Sequence, residues 1–188
     1  MRAAHNDWVI ETRDTGLIPE AEMINEQGVG SANSILSGVP GKVRLERIRQ
    51  VAGATLDGDR EVLVASLSEG DAVVRYWGAI GLGLMEGDVP GALRNILDDG
   101  SGSVAVAAAQ SVGQQGDVEA AVPVLQSLAN DENEWVRLMA VIAIDESDQI
   151  ASASKDALRP LREDPSKYVA RVANRTLNRL ENTTTRVR

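Results

Sequence analysis

The sequence predicts an all-α solenoid of about four helical hairpins and a closing helix, and three observations lead to it. Val74, Val104, Val136 and Val169 stand in one column at intervals of 30, 32 and 33 residues, the range of two-helix repeats. Four places on, the column reads Gly78, Ala108, Ala140 and Ala173, and eight places on it reads Leu82, Val112, Ile144 and Leu177. That spacing keeps small and apolar residues on one side of a helix. The turns recur with it: Asp59, Asp88, Asp117 and Asp148 each precede a second helix, with Gly58, Gly87, Gly116 and Ser147 immediately before them. Glycine adopts the left-handed conformation that ends a helix, and aspartate accepts from the free N–H groups that begin the next, at about 1 kcal/mol per cap.

Residues 1–35 do not follow the repeat and are expected to form a connector. A short helix is expected over Asn6 to Thr12, with Asp7 as its cap, until Gly16 and Pro19 break it. A second starts at Pro19, a favoured first helical position, and includes Glu20, Ala21, Glu22 and Met23. Gly28, Gly30, Ser31, Asn33 and Ser34 then read as a flexible link.

From Leu36 the helical period takes over, and the solenoid is expected over residues 36–181, with a polar tail over 182–188. The first unit is irregular, as a terminal repeat should be. Val43 and Arg44 match the repeat start, but Arg47 sits where later units place glycine or alanine; Ile48, Val51, Ala52 and Thr55 mark one face. In the second unit Val74, Trp77, Gly78 and Gly81 pair with Val89, Ala92, Leu93, Ile96 and Leu97. In the third, Val104, Ala107, Ala108, Ser111 and Val112 lead to Val118, Ala121, Val122 and Leu125. In the fourth, Val136, Met139, Ala140, Ala143 and Ile144 lead to Ile150, Ala153, Ala157, Leu158 and Leu161. The closing helix carries Val169, Val172, Ala173, Thr176, Leu177 and Leu180. A further acidic column, Glu69, Asp99, Asp131 and Asp164, lies five residues ahead of each repeat valine and marks the passage between hairpins. Gly78, Gly81 and Gly83 within one helix cost about 1 kcal/mol each relative to alanine, which predicts a close helix crossing there.

Composition narrows the function. The 188 residues and 43% hydrophobic content suit one domain with a continuous core. No apolar run approaches a membrane helix, and the N-terminus lacks the apolar centre of a secretion signal, so any export signal is expected outside the chain. Absence of cysteine excludes disulfides and thiolate chemistry. The net charge of −9 argues against binding along a nucleic-acid backbone. The charge is uneven: residues 57–99 hold nine acids against three arginines, and residues 155–188 hold nine bases against four acids, so one end of the stack is expected to be acidic and the other basic.

The Val-Arg pair followed by a small residue, preceded by an acid and closed by a Gly-Asp turn, resembles HEAT repeats. Val74-Arg75 and Val136-Arg137 keep the pair, while Ala105 and Ala170 replace the arginine, which weakens a continuous Asp-Arg ladder. A narrower resemblance lies in WVIETRDTGLIPEAEM, Trp8 to Met23, followed by RYWGAIGL, Arg75 to Leu82. These stretches are similar to the C-terminal region of bacterial sulfatases of the heparan N-sulfatase-like group, in which a HEAT-like domain follows the catalytic domain. The resemblance implies a periplasmic or secreted hydrolase of sulfated sugars that uses a formylglycine and bound calcium. None of that machinery has a counterpart here: there is no cysteine, no Ser-x-Pro-x-Arg and no Asp-rich metal cluster. The expectation is a noncatalytic scaffold with no cofactor and no metal site, serving a sulfatase. The alternative is a free-standing module that binds another protein, with oligomerisation open and with neither nucleic acid nor membrane as partner.

The candidate interaction residues are Trp8, Trp135, Tyr168, Arg171, Arg175 and Arg179. Exposed aromatics stack on sugar rings, whereas Trp77 falls on the buried stripe, and the position of Trp135 and Tyr168 one place before the repeat valine favours packing at a seam. The three arginines recur every four residues and form a basic stripe, either a solvated outer face or a seat for an anionic glycan or acidic protein. His5, the single histidine, is a weak catalytic candidate near a terminus.

Overall fold

A computed structural model describes residues 8–27, 31–85 and 90–186. His5, Asn6, Asp7, Gly28, Gly30, Gly87, Asp88 and Val89, all named above, lie outside the described residues. The chain divides into two compact units, Met1–Glu86 and Gly87–Arg188. Among the described residues all the regular structure of both is helical, as the repeats require.

The first unit opens with α1, helical over residues 8–12, and α2, Glu20–Gln27. Pro19 precedes α2, its carbonyl accepting from the N–H of Glu22 and Met23. It therefore stands one place earlier than expected, as the cap. A 3-10 helix, Ala32–Leu36, replaces part of the expected link, because Leu36 is buried and anchors it. Next come α3, Gly38–Asp57, α4, Arg60–Ser66, and α5, Ala72–Gly83.

The buried stripe of α3 is Gly41, Leu45, Ile48, Val51 and Ala54. Val43, expected at the start of the repeat column, is 58% exposed. Its helix is turned so that Arg44 and Arg47 reach acids of the next hairpin, which leaves Val43 on the open side. Gly58, with φ +70°, ends α3, and the Asp59 carboxylate accepts from Val62 N at 3.1 Å to begin α4. α5 packs on both α3 and α4. A Cβ on Gly78 would lie 2.0 Å from Ser66 Oγ and 3.1 Å from Leu63 O, so the glycine is what lets α4 and α5 cross this closely.

The second unit holds α6, Pro90–Arg94, α7, Gly102–Gln114, α8, Val118–Leu128, α9, Glu134–Asp145, α10, Asp148–Ala153, α11, Lys155–Leu158, a 3-10 helix, Pro160–Glu163, and α12, Lys167–Arg186. The first helices of successive hairpins pack in series, α7 on α9 and α9 on α12, while α8 packs on α10. This order is that of a solenoid. The repeat columns are its core: Val104, Ala108, Val112, Val136, Ala140, Ile144, Val169, Ala173 and Leu177 are all buried. Their burial supplies the main stabilisation, about 25 cal/mol per Å² of apolar surface withdrawn from water.

Three local expectations differ. α6 covers five residues, and Ile96 and Leu97 follow in a turn. The second helix of the fourth hairpin is broken at Ser154 and again before Pro160, whose missing N–H cannot continue α11; Ala153, expected on the buried face, is exposed. α12 continues through the start of the expected tail to Arg186.

Candidate interaction site

Each passage between hairpins is built from the same three parts. An acid comes first, a cap follows two residues later, and the repeat valine three residues after that. Asp99, Asp131 and Asp164 accept from the N–H of Ser101, Asn133 and Ser166 at 2.8, 2.7 and 2.8 Å. Ser101 and Asn133 then cap α7 and α9 through their side chains, and Asp71 caps α5 by accepting from Val73 N at 2.9 Å. The acidic column thus orients the turn, and the residue two places on starts the helix. In the other column, Asp117 caps α8 and also pairs with Arg94. That pairing, with the bond from Ala120 N, holds its carboxyl below the ordinary aspartate value. Asp148 does not cap: Ser147 accepts from Ile150 N at 3.4 Å, and Asp148 is the first residue of α10.

Arginines lace these turns. Arg137 grips Asp164 with both ends of its fork, Nε to Oδ2 at 3.0 Å and Nη2 to Oδ1 at 3.1 Å, and donates Nη1 to the carbonyls of Asp131 and Glu132. In the first unit Arg75 donates in the same manner to the carbonyls of Glu69 and Gly70. Arg44 joins Glu26 of α2 to Asp71, and Arg47 binds Glu69. The bonds to Glu26 and Asp71 outweigh burial and raise the Arg44 pKa above its ordinary value. The pairing of a repeat arginine with a carboxylate is therefore made at Arg44 and at Arg137. Arg44 to Asp71 and Arg137 to Asp164 share an offset of 27 residues.

The N-terminal segment sits on α5. Trp77, half-buried, donates Nε1 to Leu17 O at 2.7 Å. Tyr76 meets the Trp77 ring edge-on at 5.5 Å, and burial with the nearby Glu20 carboxylate pushes its pKa up. Val9, Ile18 and Ala21 are buried, whereas Trp8 is 53% exposed.

The candidate residues of the second unit separate into two groups. Tyr168 is exposed and lies between cations, with Lys167 Nζ 5.0 Å and Arg171 Cζ 5.4 Å from its ring centre. This leaves a small basic and aromatic patch open to solvent. Arg175 and Arg179 instead reach Asp145, at 2.5 and 3.2 Å, and Arg179 also reaches Asp148. Thr176 donates to Asp145 at 2.6 Å. Burial raises the Asp145 pKa, but these donors outweigh it and hold the carboxyl below its ordinary value. Trp135 is half-buried at the start of α9. Asp145 and Lys167 were missed because their partners lie on another helix or another face of the same turn.

Among the described residues, no helix is long and apolar enough to cross a membrane. Helical hairpins packed in series and joined by repeated acid turns define a helical-repeat array. Residues 89–178 match the model of a family described as HEAT repeats, which supports a HEAT-like repeat domain over that part of the chain. The family is generally non-enzymatic and commonly mediates protein interactions. None of the curated proteins compared with the chain matches it.

Proposed function

We propose that this chain is a noncatalytic interaction scaffold that serves as the C-terminal part of a sulfatase-like enzyme acting on sulfated sugars. The observation supporting it is the joining of the two stretches that carry the resemblance. Residues 8–23 and 75–82 are packed together through the Trp77 to Leu17 bond, with Tyr76 beside Glu20, so they form one feature. In this reading the segment spends its apolar side within the domain and offers Trp8 and Ile24, each about half exposed, to the catalytic domain. Lys167, Tyr168 and Arg171 then form the contact for a sulfated sugar, the ring stacking and the cations pairing with sulfate.

The test is deletion of these residues from the enzyme that bears them. Melting temperature should fall, or substrate choice narrow, with the chemical step intact. An enzyme unchanged in stability, assembly and kinetics would sink the proposal. Tyr168→Ala combined with Arg171→Ala should weaken binding of a heparin oligosaccharide while leaving the fold unchanged by circular dichroism.

A further inference from the structure

The start of the first unit holds a groove that the local sequence builds. The 3-10 helix Ala32–Leu36 buries Leu36, and α3 begins two residues later, so Gly41 in the first turn of α3 meets the Leu36 backbone. A Cβ on Gly41 would lie 2.1 Å from the Leu36 carbonyl carbon, so a side chain there would drive the two elements apart. A groove of about 370 Å³ opens beside them, lined by buried Leu36 and Leu45, half-buried Ile10 of α1 and exposed Val39. Its volume is at the small end of ligand sites, roughly 300–1,000 Å³.

The charged part of the lining is Arg13 and Lys42 against one acid, Glu11. In a chain of net charge −9, that is a local excess of positive charge. Arg13 is exposed and makes no ion pair among the described residues. Lys42 meets Glu46 one turn along α3 at 3.9 Å, with the two side chains 60% and 49% exposed, a pair that water screens and a closer carboxylate displaces. Apolar surface continues past the groove along both helices. Trp8 stands one turn before Glu11, and Val43 one turn after Val39, so helical spacing puts each on the side of a lining residue. Trp8, Val39 and Val43 are 53%, 76% and 58% exposed. A small molecule filling the groove would leave them in water, whereas a protein segment lying across it covers them.

We propose that this groove receives a segment of a partner protein in which apolar side chains are flanked by carboxylates. The apolar groups pack on Leu36, Leu45 and Ile10, and the carboxylates pair with Arg13 and Lys42. The proposal rests on the chain being an interaction scaffold, and adds where the partner lies and what it presents. A basic segment would be repelled by both cations. A sulfated sugar carries the charge but has no apolar side chain for the leucines, so this surface is separate from the Tyr168 patch.

The test uses the full 188-residue chain, labelled for NMR and titrated with three blocked peptides: acetyl-Glu-Leu-Leu-Glu amide, acetyl-Glu-Ser-Ser-Glu amide and acetyl-Lys-Leu-Leu-Lys amide. The first should shift the signals of Ile10, Arg13, Val39, Lys42 and Leu45 with millimolar affinity, and the other two should bind at least about fivefold more weakly. Arg13→Gln and Lys42→Gln, both at exposed positions, should each weaken the first peptide about threefold, the worth of an exposed ion pair. Arg13→Glu combined with Lys42→Glu should reverse the preference toward the lysine peptide, which a merely structural role for these residues would not produce. Shifts that are absent, that occur elsewhere, or that the three peptides cause equally would overturn the proposal. So would glutamine variants that bind as the natural chain does, even if the double glutamate variant fails to fold. None of these outcomes bears on deletion from the parent enzyme, so failure here is distinguishable from failure of the scaffold reading.

Discussion

Trp77 and Leu17 are 60 residues apart in sequence, and the indole Nε1 of one donates to the carbonyl of the other at 2.7 Å. The bond fixes a segment that follows no repeat onto the first clean helix of the array. Trp77→Phe keeps the ring in place but leaves the Leu17 carbonyl without its donor, at a cost of about 1–2 kcal/mol. Urea unfolding would measure that loss, and trypsin should cut faster after Arg13 as the segment loosens.

Gly78 and Gly53 make a matched pair for testing the helix crossing. A Cβ on Gly78 would lie 2.0 Å from Ser66 Oγ, so Gly78→Ala should destabilise by about 1–3 kcal/mol through overpacking. Ser66→Ala in the same chain should recover part of this, the Leu63 carbonyl at 3.1 Å still standing in the way. Gly53, inside α3, has nothing within 4 Å of its would-be Cβ, so Gly53→Ala should stabilise by about 1 kcal/mol. Equal signs for the two substitutions would contradict the close crossing.

Arg137 and Asp164 form a rung whose side chains are 14% and 5% exposed. Removing the arginine strands a buried carboxylate, so Arg137→Ala should cost about 3 kcal/mol. Arg137→Lys should restore little, since lysine cannot make the bidentate pair. Arg159, 62% exposed against Asp156, is the contrast: its removal should change stability by less than about 0.5 kcal/mol. Thermal melts of the three variants decide it.

Asp145 predicts how the second unit responds to acid. Its folded-state pKa lies below the ordinary 3.8. Between those two values the unfolded chain binds more protons than the native one, so stability rises with pH across that interval. The contribution is complete above pH 3.8 and is lost as pH falls through the folded-state value. Melting temperature should therefore drop steeply below about pH 4. Asp145→Asn should flatten that slope and lower stability at neutral pH by about 2 kcal/mol, the worth of hydrogen bonds to a charged group.

Periodicity made the array legible because a helix that packs on one side must repeat its apolar residues every three or four positions, and a stack must repeat whole hairpins. The four valines, the small residues four places on and the Gly58-Asp59 and Gly116-Asp117 turns fall where that logic puts them. Val43 departs from the buried column because its helix turns so that Arg44 and Arg47 reach Asp71 and Glu69. The break at Ser154 leaves no mark in the apolar spacing, which runs across it.

The candidate residues were less legible than the fold. An every-fourth spacing of arginines is the same whether the side chains meet water or carboxylates, so Arg171, Arg175 and Arg179 looked alike. Their neighbours distinguish them: Tyr168 lies under Arg171, and Asp145 lies under the other two.

The sequence alone determined the repeat length, the buried columns and the capped turns, since each depends on residues close together in the chain or in register with it. Tertiary structure decided which arginines are bound, that the N-terminal segment rests on Trp77, and that a groove opens beside Leu36. Those outcomes depend on distances between groups tens of residues apart, and one-dimensional spacing does not carry them.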